Sequence, residues 1–182
     1  MPLGIPALVS LATSMHAQPG VYALLLGSGV STGAGVPTGW GVVTELVART
    51  AALQGGDEGA AQARADAEAW WSEHGEGELG YSTLLEQLAP TAAARQGLLA
   101  EFFEGETADG DRLVPSRAHH AIARLVARGA VRVIITTNFD RLMAQALEAV
   151  GVSPQVIARP EAVNGMMPLA HASATVIKLH GD

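Results

Sequence analysis

A chain of 182 residues that is 48% hydrophobic and 16% charged is long enough for one sizeable core and too apolar to be disordered. Eleven basic residues against 18 acidic ones argue against a broad electrostatic grip on nucleic acid or an anionic membrane, so an anionic ligand must be held locally, by backbone amides and helix ends. The absence of cysteine removes disulfides and thiolate metal sites from this stretch and fits a cytoplasmic protein.

The N-terminal stretch MPLGIPALVSLATSMHAQPG is apolar but carries no Lys or Arg ahead of its apolar part, unlike a secretory signal. No run approaches the ~20 apolar residues that span a bilayer. The first predicted strand is Val21–Gly27, VYALLLG, apolar on both faces as a strand covered by helices on both sides should be. Helices are predicted over Gly41–Gln54, Ala60–His74, Ser82–Leu88, Ala92–Phe103 and Ser116–Arg128, broken by the clusters QGGDEG, HGEGELG and EGETADGD. In the last of them Ala118, Ile122, Leu125 and Val126 form one face and Gly129 marks the stop. A second strand, Val131–Thr137, follows at once. The next helix places Leu142, Met143, Ala146 and Val150 on one side, with Gly151 as its cap. A weaker strand over Pro154–Ala158 and a strong one over Thr175–Gly181 complete the pattern.

Strand, helix, strand is the βαβ signature. The expected class is therefore α/β, a Rossmann-like, mainly parallel sheet flanked by helices. The helices between the first two strands are too many for one crossover, so residues 1–182 are read as a single nucleotide-binding domain with a helical insertion at about 55–112. Doubly wound folds use about five or six strands, so the expectation is the front portion of a longer domain.

Between Leu24 and Gly39 the sequence reads LLLGSGVSTGAGVPTG. In an open parallel sheet ligands bind at the C-terminal strand ends, where this loop falls, and glycines there admit a phosphate close to the backbone. A P-loop requires Gly-Lys-Ser/Thr, and the only lysine of the chain is Lys178. The dinucleotide fingerprint GxGxxG begins with Gly27 and Gly29 but has Thr32 at its third glycine. Ordinary turn chemistry is the competing reading of the loop.

A different pattern fits. Gly27-Ser28-Gly29-Val30-Ser31, followed after three residues by Gly35-Val36-Pro37, resembles the sirtuin signature GAG-x-S-x-x-x-G-I-P. TTNFD, Thr136–Asp140, resembles the sirtuin TQNID, and KLHGD, Lys178–Asp182, resembles the catalytic ELHG. The three occur in the family's order, each at the end of a predicted strand. The resemblance implies that NAD is bound and its nicotinamide–ribose bond broken. By motif position it implies that Gly27, Ser28, Gly29 and Ser31 face the pyrophosphate and adjoining ribose. It also implies that Asn138 orients the nicotinamide ribose or an attacking water, Asp140 holds the carboxamide, and His180 is the general base. That division of labour is chemically apt, because cleavage builds positive charge on the ribose and needs a polar orienter and a base beside it. Histidine accepts a proton near neutral pH, and an amide offers donor and acceptor together.

Bland readings stand beside these. His180 can be a surface residue closing a strand, and Asn138-Phe139-Asp140 can be a helix cap. His119 and His120, on a helix, read as core or surface residues. His16, His74 and His171 show no metal-ligand spacing, so no metal is expected. Trp70 and Trp71 read as packing rather than as a substrate platform.

Departures from the family pattern narrow the function. Gly39 and Trp40 stand where protein deacylases have Phe-Arg, and Thr137 replaces the glutamine of TQN. The deacylase zinc ribbon follows the HG motif, so the lack of cysteine here is silent about it. The wording of the three motifs and the long helical stretch look like bacterial sirtuin-like domains that hydrolyse NAD in antiphage defence. The expected function is therefore an NAD hydrolase releasing nicotinamide and ADP-ribose, with NAD as substrate. A homo-oligomer or a sensing partner could restrain it, and neither nucleic acid nor membrane is expected as a partner. The alternatives are an NAD-dependent protein deacylase and a non-catalytic sensor of NAD or ADP-ribose.

Overall fold

The computed structural model describes residues 4–103 and 112–181. These fall into two compact units, one formed by the residues up to Ala34 together with those from Leu113, the other by Gly35–Arg112. The cluster EGETADGD and Asp182 lie outside the described residues.

The first unit holds a parallel sheet of four strands, β1 (Tyr22–Leu26), β2 (Val131–Thr136), β3 (Gln155–Ile157) and β4 (Thr175–Lys178), in the order β1-β2-β4-β3. With the flanking helices this is a Rossmann-like α/β fold. Because every pairing is parallel, Leu26, Thr136 and Lys178 end their strands on one edge, and the register sets Leu26 against Thr136 and Thr136 against Lys178. The three sequence motifs therefore converge. Helix α6 (Arg117–Ala127) leads into β2, and α7 (Leu142–Glu148) follows it. Both helices end as their glycines predict: Gly129 and Gly151 take φ of 75° and 79°, and Ala130 N and Val152 N donate back to Leu125 O and Leu147 O. The core beneath the site packs Ala123 and Val126 of α6 and Met143, Ala146 and Leu147 of α7 against Val131, Ile134 and Val176 of the sheet.

Several expectations change. The N-terminal apolar stretch forms a helix, α1 (Ala7–Ala17), with Met15 against that core. Strand β1 is not covered on both faces: Leu24 and Leu26 pack on the core, while Leu25 is 72% exposed. The inward face of α6 consists of His119, Ala123 and Val126, with Ala118 and Leu125 turned outward. A polar residue inside the helix's buried stripe displaced the stripe that hydrophobicity alone suggested. In α7 the inward set is Leu142, Met143, Ala146 and Leu147, and Val150 lies past the helix end and is exposed.

The second unit is helical: α2 (Gly39–Ala65), broken at Gly56 with φ 61°, then α3 (Ala67–His74), α4 (Tyr81–Leu88) and α5 (Ala92–Phe103). The single helix predicted over 60–74 is divided, because Asp66 leaves helical geometry and its carboxylate caps α3 at Ala69 N. Trp70 and Trp71 are buried in the core of this unit with Leu46, Val47 and Leu84, as packing residues.

Ile134 is fully buried in the central strand beside the site. Ile134→Ala should lower the unfolding free energy by about 2–5 kcal/mol, read from urea denaturation, through lost burial and the cavity left behind.

Candidate functional site

The site is built at the C-terminal edge of the sheet. Strand β1 passes at Gly27 into two short 3-10 turns, Ser28–Val30 and Thr32–Ala34. The amides nearest the end of β1 are those of the first of these turns. Val30 N and Ser31 N bond back to Gly27 O and Ser28 O, whereas the leading amides of such a turn, at Ser28 and Gly29, have no acceptor within it. Neither Gly27 nor Gly29 has a positive φ, so backbone conformation does not demand glycine there. A methyl group at Gly29 would meet nothing within 4 Å, leaving open space above the chain.

Between the two turns stands Ser31, which is completely buried. Its hydroxyl donates to Asp140 Oδ2 at 2.7 Å, accepts from Asn138 Nδ2 at 3.0 Å, and lies 3.4 Å from His119 Nε2. Residues from the loop after β1, the turn after β2 and helix α6 thus meet on one oxygen.

The protonation pattern follows from the partners. Ser116 caps α6, and its backbone N–H donates to His119 Nδ1 at 3.1 Å while its hydroxyl donates to Val30 O at 2.8 Å. An Nδ1 that accepts leaves the proton on Nε2, so the neutral ring points its N–H at Ser31 Oγ. The tautomer is assigned from this network. Burial pushes His119 below its ordinary value of 6.5, with the Asp140 carboxylate opposing and His120 adding to the depression. The Ser31 oxygen then uses its one proton and both acceptor positions.

The turn after β2 is fixed at several points. Asn138 N donates to Thr136 Oγ1 at 3.0 Å, Asp140 Oδ1 accepts from Leu142 N at 3.0 Å, and Lys178 Nζ donates to Phe139 O at 2.8 Å. Asn138 Oδ1 is buried and has no hydrogen-bond partner among the described residues. A cavity of about 270 Å³ opens here; Asn138, Asp140, His119, Thr136 and Lys178 line it together with Arg141, Glu148 and apolar side chains of the sheet and α7. That is near the lower end of small-molecule pockets, a size for one ring and its neighbours rather than for an extended ligand.

Of the residues expected from sequence, Ser31, Asn138 and Asp140 are brought together. Gly27, Ser28 and Gly29 line the loop beside them, with both glycines exposed. His180 stands apart from the network. It is exposed on the turn after β4, its ring 6.1 Å from that of Phe139. Sequence reasoning missed His119 and Lys178. The pattern Ser-x-x-His at the start of α6 was the available signal for His119, since it can close a capping box, as it does here.

A family model described as SIR2-like domain matches residues 132–182. The match covers β2, α7, β3, β4 and the motifs TTNFD and KLHGD, and it supports a sirtuin-like domain. A comparison with curated proteins returns no match. Among the described residues no helix is long and apolar enough to cross a membrane, and no group of three or more His, Cys, Asp or Glu is placed to hold a metal ion.

A depressed His119 value means that the unfolded chain takes up a proton before the folded one. The stability held by the neutral ring is therefore complete above its ordinary value of 6.5 and is lost as the pH falls through the lower folded-state value. Urea unfolding should show stability declining as the pH falls below the ordinary histidine value of 6.5, with a smaller decline in His119→Gln, which does not titrate.

Proposed function

We propose that the chain is an NAD hydrolase domain that releases nicotinamide and ADP-ribose, of the kind used in bacterial antiphage defence. The observation that carries the reading is the union of Ser31, Asn138, Asp140 and His119 in one buried network beside a cavity at the C-terminal edge of a parallel sheet. The SIR2-like match to the segment bearing Asn138, Asp140 and His180 supports it.

On this reading the pyrophosphate lies over Gly27, Ser28 and Gly29, where the leading amides have no acceptor within the first turn and a methyl group on Gly29 would meet nothing within 4 Å. Ser31 acts from within, holding Asp140 and Asn138 in place. Each Asp140 oxygen has given one lone pair to the protein and keeps another, enough to accept the N–H of the nicotinamide carboxamide. Asn138 Oδ1, an acceptor without a partner among the described residues, receives a ribose hydroxyl or the attacking water.

In the chemical step the bond between the ribose anomeric carbon and the nicotinamide nitrogen breaks, and its electron pair leaves with nicotinamide, neutralising the pyridinium. Water adds to the anomeric carbon, and its proton passes to His180 and then to solvent. The exposed position of His180 suits a base that exchanges protons with bulk water. Because water is the acceptor, no acylated peptide takes part.

His180→Ala and Asn138→Ala should each reduce nicotinamide release by about 100-fold or more; the thermal unfolding midpoint should be little changed in His180→Ala and lower by several degrees in Asn138→Ala, which takes a donor from the buried Ser31 hydroxyl. Normal turnover in both folded variants would contradict the assignment.

A further inference from the structure

Lys178 is the last residue of β4 and the only lysine in the chain, yet it is only 8% exposed. Lysine is among the side chains least often buried, so its place beside the cavity needs a reason. Its ammonium donates to the carbonyl of Phe139, the middle residue of the turn that carries Asn138 and Asp140. The strand end around it is fastened to the same turn: Leu179 N donates to Thr136 O, and Thr136 Oγ1 accepts Asn138 N. The Phe139 ring in turn lies 6.1 Å from the ring of His180, two residues beyond Lys178, with 26° between the planes.

We infer that Lys178 is a positioning residue that locks the Asn138–Asp140 turn through the Phe139 carbonyl and, through the Phe139 ring, sets His180 relative to that turn. The inference rests on the reading of the site as an NAD hydrolase. A charge-assisted bond resists rearrangement better than a neutral one, and losing it at the part-buried Phe139 carbonyl would loosen the turn. The direction of the ammonium also matters chemically. A free cation aimed at a ribose that is becoming positive would oppose the reaction, whereas one anchored on a backbone carbonyl stiffens the site.

Three variants test this. Lys178→Met keeps the aliphatic stem and removes donors and charge, Lys178→Arg keeps a cationic donor, and Lys178→Gln is a neutral donor for use if the methionine variant does not fold. Hydrogen–deuterium exchange over residues 137–142 is measured without NAD, beside kcat and KM for nicotinamide release. The methionine or glutamine variant should exchange at least about tenfold faster in this segment and lose about tenfold or more in kcat, with KM within about threefold of the wild type. The arginine variant should recover most of both losses. Unchanged exchange and kcat in a folded neutral variant would overturn the inference. So would a raised KM at constant kcat, which would make Lys178 a ligand contact. A wild type that releases no nicotinamide would overturn the hydrolase reading instead, and the exchange result would still decide the role of Lys178.

Discussion

A hydroxyl has one proton to give and two lone pairs to offer, and Ser31 commits all three. The proton goes to Asp140, and the lone pairs face Asn138 and His119. Because the oxygen is buried, water cannot replace any partner that moves away, so the three groups are held by mutual need rather than by packing alone. Asn138 and Asp140 share one turn, His119 belongs to α6, and Ser31 itself to the loop after β1. The loop after β1, the turn after β2 and the start of α6 therefore take up one arrangement or lose a buried hydrogen bond.

That constraint explains features that otherwise look unrelated. Helix α6 turns a histidine toward the interior because the ring closes the cap at Ser116 on one side and reaches Ser31 on the other. Burial keeps the ring neutral, and only the neutral ring accepts at Nδ1 while donating from Nε2. Asp140 spends one oxygen on Ser31 and the other on the first turn of α7, which fixes the helix to the same centre. The catalytic proposal draws on the remaining valences: the spare lone pairs of Asp140, the unpartnered Oδ1 of Asn138 and the open space over Gly29.

Much of this was legible in the sequence. The apolar runs ending in GSG, TTN and KLHG placed three motifs at strand ends, and a parallel sheet must then gather them on one edge. Glycines 129 and 151 marked helix ends because the closing turns need positive φ. What stayed hidden followed from reading helices by hydrophobicity. Of the stripe Ala118, Ile122, Leu125 and Val126, the last is buried and Ile122 packs on the core, while Ala118 and Leu125 give way to His119 and Ala123, because a histidine with both ring nitrogens satisfied is as acceptable inside as a leucine. The solvent-facing side of β1 was hidden for a similar reason. Leu25 fits a doubly covered strand by composition, and only the packing shows it exposed. Lys178 read as the failure of a P-loop and as the first residue of KLHGD, without a role of its own, since nothing local announces a lysine bonded to a carbonyl 39 residues earlier.

The most direct test of the account is to incubate the protein with NAD and follow nicotinamide and ADP-ribose by chromatography, with and without an acetylated peptide. The account predicts equal release of both products whether or not peptide is present. Release that depends on the peptide, or none from protein that demonstrably binds NAD, would contradict it.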